Sequence, residues 1–262
     1  MVSQCSALRV SAGKRQPVDD ALVVEEALQV SINGRLFSIT MRTPGDDEAL
    51  VKGLLFTEGV VNLHGLGEGI RFVEADGYTE ARVDVPPVYL CENLLERRSL
   101  LSNAACGVCG KRDMDALRLD RPALEPGQRA AAGVIPSLAG EMRSRQASFL
   151  KTGGSHAAAA FTVEGEFLVQ FEDVGRHNAV DKVIGQLIIG GVLARAGILM
   201  VSGRVSFEIV SKARAAGIRV LCAVSAPSSM AVEWAEKSGV ALVAFCRDDR
   251  YTIYTHAEHL EF

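Results

Sequence analysis

Short runs in which apolar and polar residues alternate occupy much of the first third of the chain, and a period of two is typical of half-buried β-strands. Runs 26–32 and 35–41 meet at Asn33-Gly34, a pair that favours a two-residue hairpin turn. Runs 70–74 and 81–85 flank a second turn, and the later run stops at a proline pair. The pattern therefore predicts two strand pairs in this part of the chain.

Between these strand pairs, apolar residues recur at spacings of three and four, which predicts a helix that begins at Asp46 or Asp47. Residues 1–20 are polar and without periodicity, and we expect a flexible arm there. Residues 121–133 are rich in Pro, Gly and Ala, which is typical of a linker. The sequence thus predicts a smaller N-terminal α+β domain over residues 21–134.

Beyond the linker the pattern changes, because strand-like apolar runs alternate with amphipathic helical runs on short loops. Such alternation favours an α/β sheet with helices on both faces. A second domain is therefore expected over residues 135–262. The predicted elements are helix 137–149, strands 157–163 and 167–171, helix 178–189, strand 198–201, helix 207–215, strand 219–223, helix 230–237, strand 240–246 and strand 252–255.

Composition narrows the classes of function. The 262 residues carry a net charge of −4, which gives no electrostatic reason to expect nucleic acid as a partner. No apolar run reaches the roughly 18–20 residues of a membrane span, and the first residues lack the pattern of a signal peptide. The six cysteines do not form a disulfide framework of the secreted kind. We therefore expect a cytoplasmic protein that binds neither nucleic acid nor membrane.

The strongest chemical signal is Cys106-Gly107-Val108-Cys109-Gly110, which Lys111-Arg112 follow. Neighbouring cations lower the pKa of a thiol and favour the thiolate, the form that attacks electrophiles and binds metals. Structural zinc needs two more ligands, and no second Cys pair or ligand-spaced His cluster accompanies this one. A thioredoxin-like reductase would place the pair after a strand at the start of a helix, whereas this pair precedes a linker. Both alternatives stay open, but the pair fits best a thiolate that accepts and donates sulfur.

Five polar turns in the second half combine cations, hydroxyl groups and glycine amides of the kind that bind phosphate. Most of them follow strands, where ligands bind in open α/β sheets. If the turns meet at one edge of the sheet, they form a pocket for an anionic, nucleotide-like ligand. A helix cap with an ion pair is the alternative interpretation of the second turn. The five segments are residues 151–156, 172–178, 202–206, 225–229 and 245–250.

Several of these segments resemble the formate dehydrogenase accessory sulfurtransferase family, FdhD/NarQ. The resemblance follows the family's order over most of the chain, and residues 172–182 are its most specific part. The matching blocks are Thr57-Glu58-Gly59-Val60, Cys106-Gly107-Val108-Cys109-Gly110, Thr152-Gly153-Gly154-Ser155-His156, residues 172–182, Ser202-Gly203-Arg204-Val205-Ser206-Phe207-Glu208, Ser225-Ala226-Pro227 and residues 245–255.

The resemblance implies a sulfurtransferase that works through a cysteine persulfide. A cysteine desulfurase would load sulfur onto Cys106, with Cys109 as its partner. The sulfur would pass to the molybdenum (or tungsten) bis-guanine-dinucleotide cofactor that formate dehydrogenase requires. The resemblance also implies a homodimer, no structural metal, and a cytidine-deaminase-like three-layer α-β-α fold for the C-terminal domain. The zinc signature of the deaminases is absent from the sequence.

The resemblance places cofactor binding on a segment near the C-terminus, and the polar turns extend that set. We expect arginines and glycine amides to hold the guanine nucleotide phosphates, with Asp173, Arg176 and His177 lining the pocket or fixing its loops. The alternative is a non-enzymatic chaperone that delivers the cofactor without moving sulfur, which leaves the two thiols unexplained. The expected catalytic residues are Cys106 and Cys109, and the expected cofactor-binding residues are Phe245, Cys246, Arg247, Asp248, Asp249, Arg250, Gly153, Gly154, His156, Asp173, Arg176, His177, Ser202, Gly203 and Arg204.

Overall fold

A computed structural model describes residues 2–67, 69–91, 122–247 and 249–262 of the chain. Strands β1 (Val2–Ser11) and β2 (Lys14–Val23) form an antiparallel hairpin at the N-terminus. Its two-residue turn has positive φ angles at Ala12 and Gly13, as a primed hairpin turn requires. This regular hairpin stands where the sequence indicated a flexible arm. Nearly all its side chains are exposed on both faces, so no apolar alternation marks the strands.

A four-stranded sheet follows, and its spatial order is β4-β3-β6-β5. Strands β3 and β6 run parallel, and the other neighbours are antiparallel. Positive φ angles at Asn33 and Gly34 confirm the predicted hairpin turn between β3 and β4. The elements of this part are β3 (Glu26–Ile32), β4 (Arg35–Arg42), helix α1 (Asp47–Thr57), β5 (Ile70–Ala75) and β6 (Tyr78–Val83).

The second half forms a mixed six-stranded sheet in the order β13-β12-β11-β10-β8-β9. Strands β10, β11 and β12 are parallel, whereas β8, β9 and β13 join by antiparallel pairing. The strands are β8 (His156–Phe161), β9 (Phe167–Asp173), β10 (Ile198–Val201), β11 (Val220–Ala223), β12 (Ala241–Arg247) and β13 (Arg250–Ile253). A separate short parallel pair joins β7 (Ala130–Ala131) to β14 (Leu260–Glu261).

Helices cover both faces of this sheet, which confirms the predicted layers. Alternate residues of each strand contribute to two different cores: Ala160 and Leu199 pack with the helices of one face, and Ala159 and Met200 pack with the helix of the other. Helices α4 (Arg176–Ile189), α5 (Phe207–Ala215) and α6 (Ser229–Ser238) lie on the first face, and α2 (Ile135–Ser144) lies on the second. The likeness to cytidine deaminases stays a prediction.

The single helix predicted over residues 137–149 is two helices, α2 and α3 (Ala147–Thr152). The chain leaves the helical path at Gln146, and Ser137 lies inside α2, where its hydroxyl donates to the Val134 carbonyl. A carboxylate from β9 stabilises the second start, because Glu172 accepts hydrogen bonds from the amides of Ser148 and Phe149 at 2.8 and 2.7 Å. The break therefore depends on a residue that is distant in sequence.

Helix α1 packs on helix α4 and joins the N-terminal part to the larger sheet. The two helices approach so closely that each presents a glycine, Gly53 or Gly185, to the backbone of the other. Among the described residues, no helix is long and apolar enough to cross a membrane.

Candidate functional site

A cavity of about 640 Å³ lies at the edge of the large sheet where β10, β11 and β12 end. This is the edge at which ligands bind in open α/β sheets. Helices α2 and α3 form one wall, and the start of β8 with the ends of the parallel strands forms the other. Six of the residues expected from the sequence line it: Gly153, Gly154, His156, Ser202, Cys246 and Arg247.

The lining is cationic. In the described part of the chain it includes two arginines, Arg143 and Arg247, and no carboxylate. Arg247 is fixed at the rim because its Nε donates to the Val224 carbonyl at 3.2 Å. Behind the rim, the Ser202 hydroxyl accepts a hydrogen bond of 2.8 Å from the Ala157 amide and holds the β10 turn against β8. Such a cavity suits a ligand that carries negative charge.

A second cationic group surrounds His156 at one side of the cavity. Burial and the positive charges of Arg176 and Arg204 lower the pKa of His156, so the imidazole is held neutral. Gly203 lies so close that a methyl group there would be 3.2 Å from His156 Nδ1. The Nε of Arg176 is buried and has no hydrogen-bond partner among the described residues. A buried donor without a partner costs free energy, so Arg176 Nε is an unusual group in this part of the protein.

A smaller cavity of about 360 Å³ adjoins the first, and Arg247 belongs to both. Phe245 and Arg250 line it, so the structure brings them beside the larger cavity but not into it. Phe245 has a left-handed backbone (φ 56°) at an irregularity in the pairing of β12 and β13. Asp249 is exposed in the turn after β12, and Asp248 lies outside the described residues.

Asp173 and His177 do not line the cavity, although the sequence placed them among its residues. Asp173 is fully buried at the end of β9, where it pairs with Lys182 at 2.9 Å and accepts from the Thr43 amide at 3.1 Å. His177 faces Ser206 and lies 4.0 Å from a Glu208 oxygen. Asp173 thus holds the turn between β9 and α4, and His177 contacts the start of α5, so of the two expected roles the geometry favours fixing loops.

Burial lowers the pKa of His177 to about 3, with further lowering by Lys212 and Arg176. This imidazole is therefore neutral near pH 7. Next to it, Lys212 donates to both oxygens of the buried Asp181 at 2.8 Å and to the Thr57 hydroxyl at 3.0 Å. The network connects α1, α4 and α5 on the face of the sheet opposite α2.

The contribution of helix α2 to the cavity was not predicted from the sequence, because α2 carries no recognisable motif. Met142, Arg143 and Gln146 line the cavity together with Phe149 of α3. The sequence also did not predict the role of Glu172, which accepts from the Ser155 hydroxyl at 2.7 Å in addition to the α3 amides. The position of Glu172 at the start of the densest polar segment was the available signal.

Cys106 and Cys109 lie outside the described residues, so the structure gives no geometry for the proposed carrier thiols. Cys5, Cys91, Cys222 and Cys246 are described, and all four are free. Cys222 and Cys246 are fully buried in the core beneath the cavity, as expected for small apolar side chains.

These features define a class of protein, an α/β protein with a cationic cavity at the carboxyl edge of its sheet. Comparison with known proteins gives the family. Residues 23–261 match the FdhD/NarQ family, and this chain belongs to it. The resemblance inferred from the sequence is thereby confirmed.

Relatives with a stated role cover almost the whole chain. A protein of Mycolicibacterium paratuberculosis named sulfur carrier protein FdhD is 44% identical over 96% of this chain and 96% of its own length. A protein of Sulfolobus acidocaldarius with the same name is 41% identical over 97% of this chain and 96% of its own. A crystal structure from Desulfotalea psychrophila, described as a formate dehydrogenase accessory protein, has a TM-score of 0.76, 22% identity and 99% coverage of both chains. At that identity the likeness shows the fold.

Proposed function

We propose that this protein is a sulfur carrier that serves the maturation of formate dehydrogenase. It takes sulfur from a cysteine desulfurase as a persulfide and passes it to a molybdenum bis-guanine-dinucleotide cofactor held at the cavity. The observation that carries the proposal is the cationic cavity at the carboxyl edge of the sheet, in a chain whose relatives are named sulfur carriers. The four free cysteines of the described residues agree with a reducing cytoplasm as the site of the reaction.

The size and the cationic lining of the cavity support binding of one guanine nucleotide arm of that cofactor, which is the substrate of the transfer. Its volume of about 640 Å³ lies within the range of small-molecule pockets, roughly 300–1,000 Å³. Arg143 and Arg247 would bind phosphate oxygens. Phe149 offers apolar surface for the base.

The loading step is a thiol–persulfide exchange. The thiolate of Cys106 attacks the terminal sulfur of the desulfurase persulfide, the S–S bond of the donor breaks, and its electron pair leaves with the donor thiolate. A new persulfide then resides on Cys106, and no external oxidant is needed. Lys111 and Arg112 favour the thiolate by their charge.

The test of the carrier step is intact-protein mass spectrometry under non-reducing conditions after incubation with a cysteine desulfurase and L-cysteine. We expect a gain of one sulfur atom that a reductant removes and that Cys106→Ser abolishes. Cys91→Ser, which alters another exposed thiol, is the matched control. A chain that gains no sulfur beside an active desulfurase would refute the carrier role and would favour the cofactor chaperone.

The test of the cavity is calorimetric titration with guanosine diphosphate. Loss of one charge-assisted hydrogen bond costs about 1.5–3 kcal/mol, so Arg247→Ala should weaken binding by roughly tenfold to a hundredfold. Arg195→Ala is the control, because that arginine is exposed and is not part of the lining. Equal affinities for the two variants would mean that the nucleotide binds elsewhere.

A further inference from the structure

A compact group of ligand-type side chains lies at the opposite end of β12 from the cavity. Residues 256–259 follow β13, which runs antiparallel to β12 and so returns to the start of that strand. Thr255 fixes the return, since its hydroxyl donates to the Val240 carbonyl at 2.7 Å and accepts from the Leu242 amide at 3.0 Å. The group is therefore separate from the cavity at Cys246 and Arg247, the other end of the strand.

His256, Glu258 and His259 each offer a ligand atom, and these atoms lie within 4.8 Å of one another. His256 Nδ1 is 2.7 Å from Glu258 Oε1, and the two imidazole centroids are 5.6 Å apart. Zinc-type sites place nitrogen and oxygen ligands about 2.0–2.2 Å from the ion, so three atoms at this separation need only small rotations to share one ion.

Both imidazoles also bond to the carboxyl end of helix α6. His256 Nε2 donates to the carbonyl of Glu236, in the last turn of the helix, at 2.8 Å. His259 bonds to the backbone of Gly239, the residue that caps the helix. A metal-binding histidine almost always donates its second ring N–H to a carbonyl or carboxylate, because that bond fixes the tautomer and the ring orientation. The helix end also carries partial negative charge, which favours a cation.

The charges around the group are compatible with an ion. A second carboxylate, that of Glu236, has an oxygen 3.9 Å from His256 Nε2. An ion at His256 Nδ1 would replace the proton that now joins this atom to Glu258, and binding would release that proton.

We propose that His256, Glu258 and His259 form a binding site for one divalent transition-metal ion of the zinc type, with water as the fourth ligand. Two imidazole nitrogens and one carboxylate suit zinc, cobalt or nickel rather than magnesium or calcium, which take oxygen ligands. The ion would tie the C-terminal strand β14, which begins at Leu260, to the end of α6. This site is independent of sulfur transfer.

The test uses the full chain with Cys106→Ser and Cys109→Ser, so that the thiol pair cannot hold the ion. Equilibrium dialysis should find one Zn²⁺ per chain, and Co²⁺ should give visible d–d bands without the near-ultraviolet thiolate band. Glu258→Gln should weaken Zn²⁺ binding at least tenfold, and His259→Gln should abolish it. His64→Gln, which alters an exposed histidine outside the group, should leave it unchanged.

Glu258 is exposed, so its variant should fold even if His259→Gln does not. Far-ultraviolet circular dichroism checks each variant before titration. Binding of zinc should also raise the melting temperature of the Cys106→Ser, Cys109→Ser chain, because the ion binds the folded state. Failure of that chain to bind an ion, or equal affinity in the Glu258→Gln and His64→Gln variants, would overturn the proposal.

Discussion

Replacing Gly185 by alanine should strongly destabilise this protein, because helix α4 has no room for a methyl group where it crosses α1. A methyl group at Gly185 would fall on the carbonyl oxygen of Ala49 and would lie 2.8 Å from the amide nitrogen of Gly53. Both neighbours are backbone atoms, so no change of rotamer can relieve the clash. The helices would have to separate, and that movement would strain the hydrogen bond between Thr57 and Asp181 that joins them.

The expected cost follows from two opposing effects. Overpacking in a well-packed core costs about 1–3 kcal/mol and occasionally more, and a clash between two backbones belongs at the upper end. Alanine favours a helix over glycine by about 1 kcal/mol, which offsets part of the loss. We therefore expect Gly185→Ala to lower the free energy of unfolding by roughly 2 kcal/mol.

Urea unfolding followed by the fluorescence of the single tryptophan, Trp234, measures this change. The control is Gly140→Ala in helix α2, where a new methyl group would meet nothing within 4 Å. That variant should be unchanged or more stable by up to about 1 kcal/mol. If Gly185→Ala were as stable as Gly140→Ala, the close helix crossing would be wrong.

Two further predictions concern the buried network that contains His177, Asp181 and Lys212. Lys212→Met should lower the free energy of unfolding, measured in urea, by about 3–5 kcal/mol, because it leaves the carboxylate of Asp181 buried without its cation. Lys237→Met, at an exposed position, should change that free energy little. His177 has a pKa of about 3 when folded and near 6.5 when unfolded, so the unfolded chain binds more protons below pH 6.5 and stability falls as the pH drops towards 3. When the pH falls from 6.5 to 5, the free energy of unfolding of His177→Gln should therefore decrease by roughly 1.5 kcal/mol less than that of the native chain. Equal decreases in the two proteins would contradict a buried, neutral His177.

Much of the secondary structure could be predicted from patterns among neighbouring residues. The turn at Asn33-Gly34, strand β10 and helix α5 lie where the sequence predicts them, because turn chemistry and apolar period are properties of adjacent residues. The order of strands and helices also predicted the layered sheet, since alternating strands and helices must bury one face of each helix. The polar ends of β10, β11 and β12 then fall at one edge, and six expected residues meet in the cavity.

What the sequence could not predict depends on contacts between distant residues. The N-terminal hairpin has no buried face, so its strands carry no period. The break between α2 and α3 depends on Glu172, which is 24 residues from the amide of Ser148 that it accepts from. Asp173 and His177 have the residue types of a ligand site, and only the fold shows that their partners are other parts of the protein.

Residues 172–182, which carry the resemblance to the family most clearly in the sequence, act in the structure largely through contacts with other parts of the protein. Glu172 holds the start of α3 and so places the turn at Gly153 and Gly154. Asp181 pairs with Lys212 and so joins helices α4 and α5. A substitution at Glu172 should therefore weaken nucleotide binding by displacing that turn, in parallel with a loss of stability. Arg247→Ala should weaken binding with stability unchanged, because its side chain is exposed at the rim. Measuring the nucleotide affinity and the free energy of unfolding of each variant therefore distinguishes residues that shape the cavity from residues that bind the nucleotide.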